Sequence, residues 1–267
     1  MTNAQFYLED LKTKFNKIDP TKYYLSYSGG KDSHLLLWFI KEYAHIEGIK
    51  IVGINTYMEH PEIRQRMYDN CDIVLLPEKK PYEIKEQYGI PCFSKTQDEL
   101  IYLYQRGSRA EYLLDRVYSR DYLGSDGKMH TNKFGLSKKS RELLLSGKLH
   151  PISKKCCDFL KKKPARKFEK ESGLKPILGV RSFEGATRKA KYTSCFTKDM
   201  KFTPIWDLSD DLINEIYKEF NIEIPSIYQY VGRTGCMGCP YRFIQTRYWK
   251  RISFIRWSSK EIRMWLF

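Results

Sequence analysis

Ser26-Tyr27-Ser28-Gly29-Gly30-Lys31-Asp32-Ser33 is the stretch on which the reading of this chain turns. Just before it, Tyr23-Tyr24-Leu25 is short, aromatic and apolar, the pattern of a buried strand. Just after it, Leu35-Leu36-Leu37-Trp38-Phe39-Ile40 continues to Tyr43, an apolar run long enough for a helix. A strand, a turn with two glycines and a helix together make a geometry that binds phosphate. The glycines let the backbone come close and adopt positive φ. Free N–H groups and the positive end of the helix dipole face the anion. Ser26, Ser28 and Ser33 add hydroxyl donors, and Lys31 adds charge. Asp32 is placed either to hold Mg²⁺ beside the phosphates or to cap the helix.

The spacing is not the Walker pattern, which needs four residues between its first glycine and Gly-Lys-Ser/Thr. Nor is it a dinucleotide fingerprint, because the glycines are adjacent and no third one follows. Ser28-Gly29-Gly30-Lys31-Asp32-Ser33 instead resembles the pyrophosphate loop of the adenine-nucleotide α-hydrolase superfamily. Those enzymes split ATP between the α- and β-phosphates, or hold an adenylyl sulfate in the same cradle.

Outward from the loop, the chain reads as alternating strands and helices. Ala4 to Phe15 sets Leu8, Leu11 and Phe15 on one helical face. Lys50-Ile51-Val52-Gly53-Ile54-Asn55 is a second buried strand, followed by a helix starting near Pro61; Asp72 to Leu76 is a third strand and Pro176 to Val180 another. Strand–helix–strand units of this length imply right-handed parallel pairing. The expected fold class is therefore α/β with parallel strands. Ligands in such sheets sit beyond the carboxyl ends of the strands, so Asn55 and Thr56 should face the crevice of the loop. Arg181 and Arg188, after the Pro176–Val180 strand, should either point there too, their planar forks suiting phosphate or sulfate, or form ion pairs with Glu184 or nearby acids. His60 reads as a surface or capping residue.

Residues 77–152 are harder to read. Short helices are expected at Tyr82–Tyr88, Ser108–Tyr118 and Ser137–Leu145, with a polar loop from Asp121 to Gly135. Basic residues and tyrosines interleave here, which suits either a nucleic-acid surface or a solvated helical face. Lys154 to about Glu171 is helical, with Pro164 placed to divide it and Ser172-Gly173 to stop it. Ser209, followed by Asp210 and Asp211, is a good N-cap for a helix to about Phe220.

The 267 residues can bury a large core, and 42% hydrophobic content fits a globular chain. No stretch approaches the roughly 18–20 apolar residues of a membrane span. Met1 to Pro20 lacks an apolar core of the signal-peptide kind, so a cytoplasmic location is expected. Lys and Arg number 47 against 32 Asp and Glu, a net charge of +15. Such an excess favours polyanionic partners, DNA or tRNA among them, or anionic substrates.

Seven cysteines in such a chain argue for metal or redox chemistry over disulfides. Cys236 and Cys239 have the spacing of two thiolates on one centre, and Cys156-Cys157 would complete a set of four. Four thiolates suit tetrahedral zinc or an iron–sulfur cluster. Adjacent cysteines diverge, which fits the separate iron atoms of a cubane better than a single zinc ion; unmetallated thiols are the third reading. Cys71, Cys92 and Cys195 read as small buried residues.

With loop and cysteines together, the chain resembles the phosphoadenosine phosphosulfate reductase family. The likeness runs from about Tyr23 to Tyr241. It includes Asn55-Thr56 to His60-Pro61-Glu62, Gly179-Val180-Arg181 with Glu184 and Arg188, Trp206-Asp207-Leu208-Ser209, and Gly235-Cys236 to Pro240. Cys-Cys followed by CxxC looks like the [4Fe-4S] signature of adenylyl sulfate reductases in that family. The resemblance implies the family fold, a doubly wound and mostly parallel α/β sheet, as a nucleotide-binding domain over residues 1–240 with a helical insertion at about 80–152. Beyond it lies a basic, aromatic extension at 241–267. It implies ATP or an adenylyl sulfate nucleotide as ligand, Mg²⁺, a sulfur donor or reductant protein, and admits a homodimer. The reductases carry a C-terminal Glu-Cys-Gly-Leu-His tail, and this sequence has no cysteine after Cys239. That departure favours an ATP-cleaving enzyme that adenylates a substrate for sulfur transfer, as the DNA phosphorothioation sulfurtransferases of the family are thought to do. Sulfonucleotide reduction is the alternative, and nucleotide-dependent nucleic-acid binding without turnover is a further one.

Overall fold

The computed structural model describes residues 1–243 except 120–121, 131, 133 and 185; most of the basic, aromatic extension lies outside the described residues. Along the chain run α1 (Asn3–Phe15), β1 (Tyr23–Tyr27), α2 (Lys31–Trp38), β2 (Lys50–Ile54), α3 (Pro61–Asn70) and β3 (Ile73–Leu75). Next come α4 (Pro81–Tyr88), α5 (Lys95–Gln105), α6 (Glu111–Val117), β4 (Tyr122–Leu123), β5 (Met129–His130) and α7 (Lys138–Leu145). Then follow α8 (Lys155–Cys157), α9 (Lys163–Ser172), β6 (Lys175–Leu178), α10 (Ala186–Lys191), α11 (Asp210–Glu219) and α12 (Pro240–Phe243). They form two compact units. Unit one is Met1–Pro77 with Lys162–Thr234; unit two is Glu78–Lys161 with the chain from Gly235. The CxxC segment thus groups with the helical insertion.

Unit one holds a four-stranded sheet in the order β3-β2-β1-β6, every pair parallel. Alternation along β1 divides the two faces, because successive side chains of a strand point opposite ways. Tyr23, Leu25 and Tyr27 join Leu8, Leu11 and Phe15 of α1, Leu35 and Leu36 of α2, and Ile213 and Ile216 of α11 in the main core. Each fully buried side chain of this kind contributes about 1.5–3 kcal/mol. Tyr24 faces the other way and packs edge-on against Phe168 of α9 at 5.0 Å. Helices therefore cover both faces, as expected of a doubly wound sheet. Gly53 of β2 leaves the space in which Met67 of α3 sits: a Cβ there would lie 2.5 Å from Met67 Cγ.

The chain winds from β1 through β2 to β3 on one side, then places β6 on the other side of β1. The winding reverses between β1 and β6, which opens a crevice beyond their carboxyl ends. Several expected local features are present. Ser209 accepts from the Leu212 N–H and caps α11; Gly173, at φ +71°, ends α9. The stretch divided by Pro164 is α8, a π-helical turn at Asp158–Lys162, and α9 with the proline in its first turn.

Unit two is built around Leu100, Ile101, Leu113, Val117, Leu136, Leu144 and Ile152. Here the sequence reading needs correction. Helix α5 was not expected, yet Ser94 caps it by accepting from Gln97 N–H. The expected helix at Ser108–Tyr118 starts only at Glu111, and the expected loop contains the short β4–β5 hairpin. No helix among the described residues is long and apolar enough to cross a membrane.

Candidate functional site

At the end of β1, Ser28 is exposed while Gly29 and Gly30 are buried. Gly29 has φ +71°, and a Cβ there would lie 2.8 Å from the Ile63 carbonyl oxygen, so glycine is required on both counts. Gly30 is the N-cap of α2 and offers no side chain to the helix end. The serines brace the turn: the Ser28 N–H donates to Ser33 Oγ at 3.2 Å, and Ser33 Oγ donates to the Gly30 carbonyl at 3.0 Å. Ser26 lies within β1, half-buried.

Gly179, just past β6, lets that strand end press on the first turn of α2. A Cβ on it would be 2.9 Å from Ser33 N and 3.0 Å from Asp32 C. Arg181 follows, buried to 7% exposure. Its Nε donates to Asp32 Oδ1 at 2.7 Å, and a terminal nitrogen donates to Asp210 Oδ1 at 2.8 Å. Asp32 is thus held in an ion pair and does not cap the helix. Burial works against the Arg181 charge, but Asp32 and Asp210 outweigh it and hold its pKa above the ordinary value.

Arg188 is pulled the other way. Its pKa falls below the ordinary value, first through burial and next through the like charge of Arg233; Arg181 adds to this, while Tyr192 and Asp32 oppose it. The Lys31 ammonium is also pulled down, by burial first, with Arg181 adding to it and Asp32 and Asp210 opposing. Lys31 donates to Asn214 Oδ1 and lies 5.2 Å from the Tyr217 ring centre. Lys31, Arg181 and Arg188 thus all interact with the Asp32 carboxylate at the glycine loop, and the Arg233 charge acts on Arg188. Repulsion among like charges is what a bound anion relieves.

Two tyrosines complete the cradle, and the sequence reading missed both. The Lys31 N–H donates to Tyr228 OH at 2.7 Å, and Tyr217 OH donates to the Lys31 carbonyl at 2.6 Å. Tyr228 OH also lies 3.2 Å from Thr234 Oγ1. Glu62 holds the Tyr228 turn by accepting from Ser226 N–H, Ser226 Oγ and Ile227 N–H. Arg233-Thr234 stands directly before Gly235-Cys236, which is the sequence signal that could have drawn attention to it.

Asn55 and Thr56 are buried. Asn55 Oδ1 accepts from Tyr57 N–H, whose residue has φ +64°, and Asn55 Nδ2 donates to Tyr68 OH at 2.8 Å. Thr56 N–H and Oγ1 both donate to Glu59.

The four expected cysteines all lie in unit two. The Cys156 thiol is pushed well up, first by its hydrogen bond with Cys157, then by burial, and further by Cys157, Cys239 and Cys236. The four thiols are therefore close enough to act on one another, and the donor set suits a thiolate-bound centre in kind. Among the described residues, however, no three of His, Cys, Asp or Glu stand in an arrangement that holds a metal ion. Asp98, fully buried, ties this region together by accepting from Cys92 N–H, Phe93 N–H and Tyr241 OH. Cys71, outside the cluster, is half-buried, and burial pushes its thiol up to about 12.

No protein-family model matches the sequence, and no curated protein matches it. Among solved structures the chain is similar to phosphoadenylyl-sulfate (PAPS) reductase from Candida auris, in its phosphate complex. Identity is 11%, covering 89% of this chain and 97% of that one, with a TM-score of 0.46. It is also similar to the NH3-dependent NAD synthetase from Campylobacter jejuni subsp. jejuni NCTC 11168, in complex with the nitrate ion. There identity is 13%, covering 84% of this chain and 76% of that one, with a TM-score of 0.38. Both likenesses are of chain fold, at identities too low to carry chemistry across, and they accompany a parallel α/β sheet with a glycine loop at its switch point.

Proposed function

We propose that this chain binds an adenine nucleotide and cleaves ATP between its α- and β-phosphates while adenylating an acceptor. The observation that carries the reading is the cradle: the Ser28–Ser33 loop with Arg181 paired to Asp32 and with Lys31 and Arg188 interacting with the same carboxylate. In the proposed reaction an acceptor oxygen attacks the α-phosphorus, the bond to the bridging oxygen breaks, and pyrophosphate leaves with the electron pair. Negative charge grows on the phosphate oxygens as this happens. Preset cations and backbone N–H groups stabilise that charge without having to reorganise. Arg181 and Lys31 act at the loop, and Arg188 with Arg233 serves the outer phosphates.

Asp32 Oδ1 is already committed to Arg181, so Asp32 fits the role of a positioning anion better than that of a Mg²⁺ ligand. Mg²⁺, when it arrives with the nucleotide, would neutralise phosphate charge. Cys156, Cys157, Cys236 and Cys239 are the residues that would hold a [4Fe-4S] cluster, or zinc, with a role in sulfur transfer to the adenylated acceptor. Their thiol chemistry supports that reading in kind. Sulfonucleotide reduction needs a ready thiolate, and Cys71 and Cys92, outside the cluster, are both held above the ordinary thiol range by burial.

Pyrophosphate release from ATP, followed with Ser28→Ala and Asp32→Asn variants, tests the loop assignment. Loss of release in both supports it, and undiminished release refutes it. Iron, sulfide and zinc analysis of protein purified without oxygen tests the cysteine assignment. A broad band at about 400 nm with about four irons per chain supports a cluster, and zinc without colour replaces it with a structural metal.

A further inference from the structure

Excess charge is divided unevenly between the two units. Unit two, Glu78–Lys161 with Gly235–Phe267, contains 24 Lys and Arg against 12 Asp and Glu, which is +12 of the chain's +15. Such asymmetry points to a polyanion met by one part of the molecule.

Four of these cations are held by aromatic rings and carbonyls. Lys79 Nζ lies 5.6 Å from the Tyr88 ring centre and 5.4 Å from that of Phe159, and those two rings are 5.0 Å apart. Arg106 lies 5.9 Å from Tyr88 and 5.4 Å from Tyr102, and Lys155 is 5.4 Å from the same Tyr102 ring. The contacts form one continuous row: Phe159, Lys79, Tyr88, Arg106, Tyr102, Lys155. Close by in sequence, Arg109 covers Tyr104 at 4.0 Å. Arg106 donates to the Gln87 carbonyl at 3.0 Å, and Arg109 to those of Tyr104 and Ser108 at 2.9 and 2.8 Å. Among the described residues none of these four cations makes an ion pair with an acid. Arg106 and Arg109 are exposed.

A ring holds a cation in place without neutralising it. This row is therefore fixed in geometry and uncompensated in charge, with ring faces beside the charges. A duplex offers only its phosphates to such a surface, because its bases are stacked on one another. A single strand offers phosphates to the cations and base faces to the rings. We propose that this row on unit two binds single-stranded nucleic acid, with phosphates on Lys79, Arg106, Arg109 and Lys155 and bases on Tyr88, Tyr102 and Tyr104. That the bound strand is also the acceptor adenylated by the phosphate loop rests on the function proposed above; the binding surface does not.

The test is fluorescence anisotropy of the full chain with labelled single-stranded DNA and RNA of about 20 nucleotides, without ATP, across a salt series. Binding should weaken steeply with salt. Arg106→Ala/Arg109→Ala should weaken it about tenfold and lower the log–log salt slope by about 1.4, at roughly 0.7 per strand phosphate contact. Tyr104→Leu should weaken it at least about fivefold, through lost stacking. The control is Lys12→Ala/Lys17→Ala on unit one, which removes the same charge and should leave affinity within about twofold. Three results would overturn the proposal: no binding at low salt, an equal loss in the control, or tighter binding to duplex or to phosphatidylserine vesicles than to the strand. If the strand binds through these residues but its addition releases no pyrophosphate from ATP, the surface stands and the ATP-cleavage reading falls.

Discussion

Removing the Arg181 side chain should expose how the phosphate loop is held. Arg181 is 9% exposed at its side chain and touches two carboxylates of different standing: Asp32 at 23% exposure and Asp210 at 73%. The Asp210 pair is well solvated, and screening reduces such pairs to about 0–1 kcal/mol. The Asp32 pair is largely out of water, where deleting one partner of an isolated pair costs about 3–5 kcal/mol, and the Lys31 and Arg188 charges that also act on Asp32 favour the lower end. Arg181→Met should therefore destabilise unit one by about 3 kcal/mol, taking the lower figure because Asp32 keeps some contact with water. Asp32→Asn should cost about 2 kcal/mol, and Asp210→Asn no more than about 0.5 kcal/mol. In the double variant Arg181→Met/Asp32→Asn the losses should not add, leaving a coupling of about 2 kcal/mol. Urea unfolding, with hydrogen exchange at β1 and α2 amides to read unit one separately, measures all four. A coupling below about 0.5 kcal/mol, or an Asp210→Asn cost equal to that of Asp32→Asn, would refute the reasoning.

Three further outcomes are expected. Gly179→Ala should lower stability by about 1–3 kcal/mol and weaken nucleotide binding, since its Cβ meets the backbone at Ser33 N and Asp32 C, which cannot step aside; unaltered nucleotide affinity in isothermal titration would count against the close approach. Tyr228→Phe should cost about 1 kcal/mol in thermal unfolding, because the Lys31 N–H loses its acceptor. Burial, aided by the nearby Arg66 charge, lowers the His34 pKa from 6.5 to about 4. The unfolded chain therefore takes up this proton first as pH falls, so its contribution is complete above about 6.5 and lost on descent to about 4. That contribution is at most about 3 kcal/mol, and His34→Gln should flatten the stability–pH curve over that interval.

Some of this molecule was legible because its signals are local. The apolar run Tyr23-Tyr24-Leu25 and the longer one from Leu35 to Ile40 mark strand and helix within a few residues, and the paired glycines mark the turn between them. Caps such as Ser209 are written in the residues they serve. The parallel sheet follows from strands that alternate with helices. Unit two resisted the same reading because its helices are short and its apolar positions sparse. Helix α5 owes its place to burial of Leu100 and Ile101 against residues as distant in sequence as Leu144 and Ile152.

Local signals thus sufficed for the α/β sheet and the glycine turn within it. Which groups meet at that turn depends on how the chain packs. Tyr228 reaches the Lys31 N–H across 197 positions, and Arg181 reaches Asp32 across 149. Glu62 takes the Ser226 turn from 164 positions away, and the Arg233 charge is felt at Arg188. The reason is physical: propensity, alternation and capping act over a few residues, whereas ion pairs and close backbone contacts depend on distances that exist only once the strands have been laid side by side.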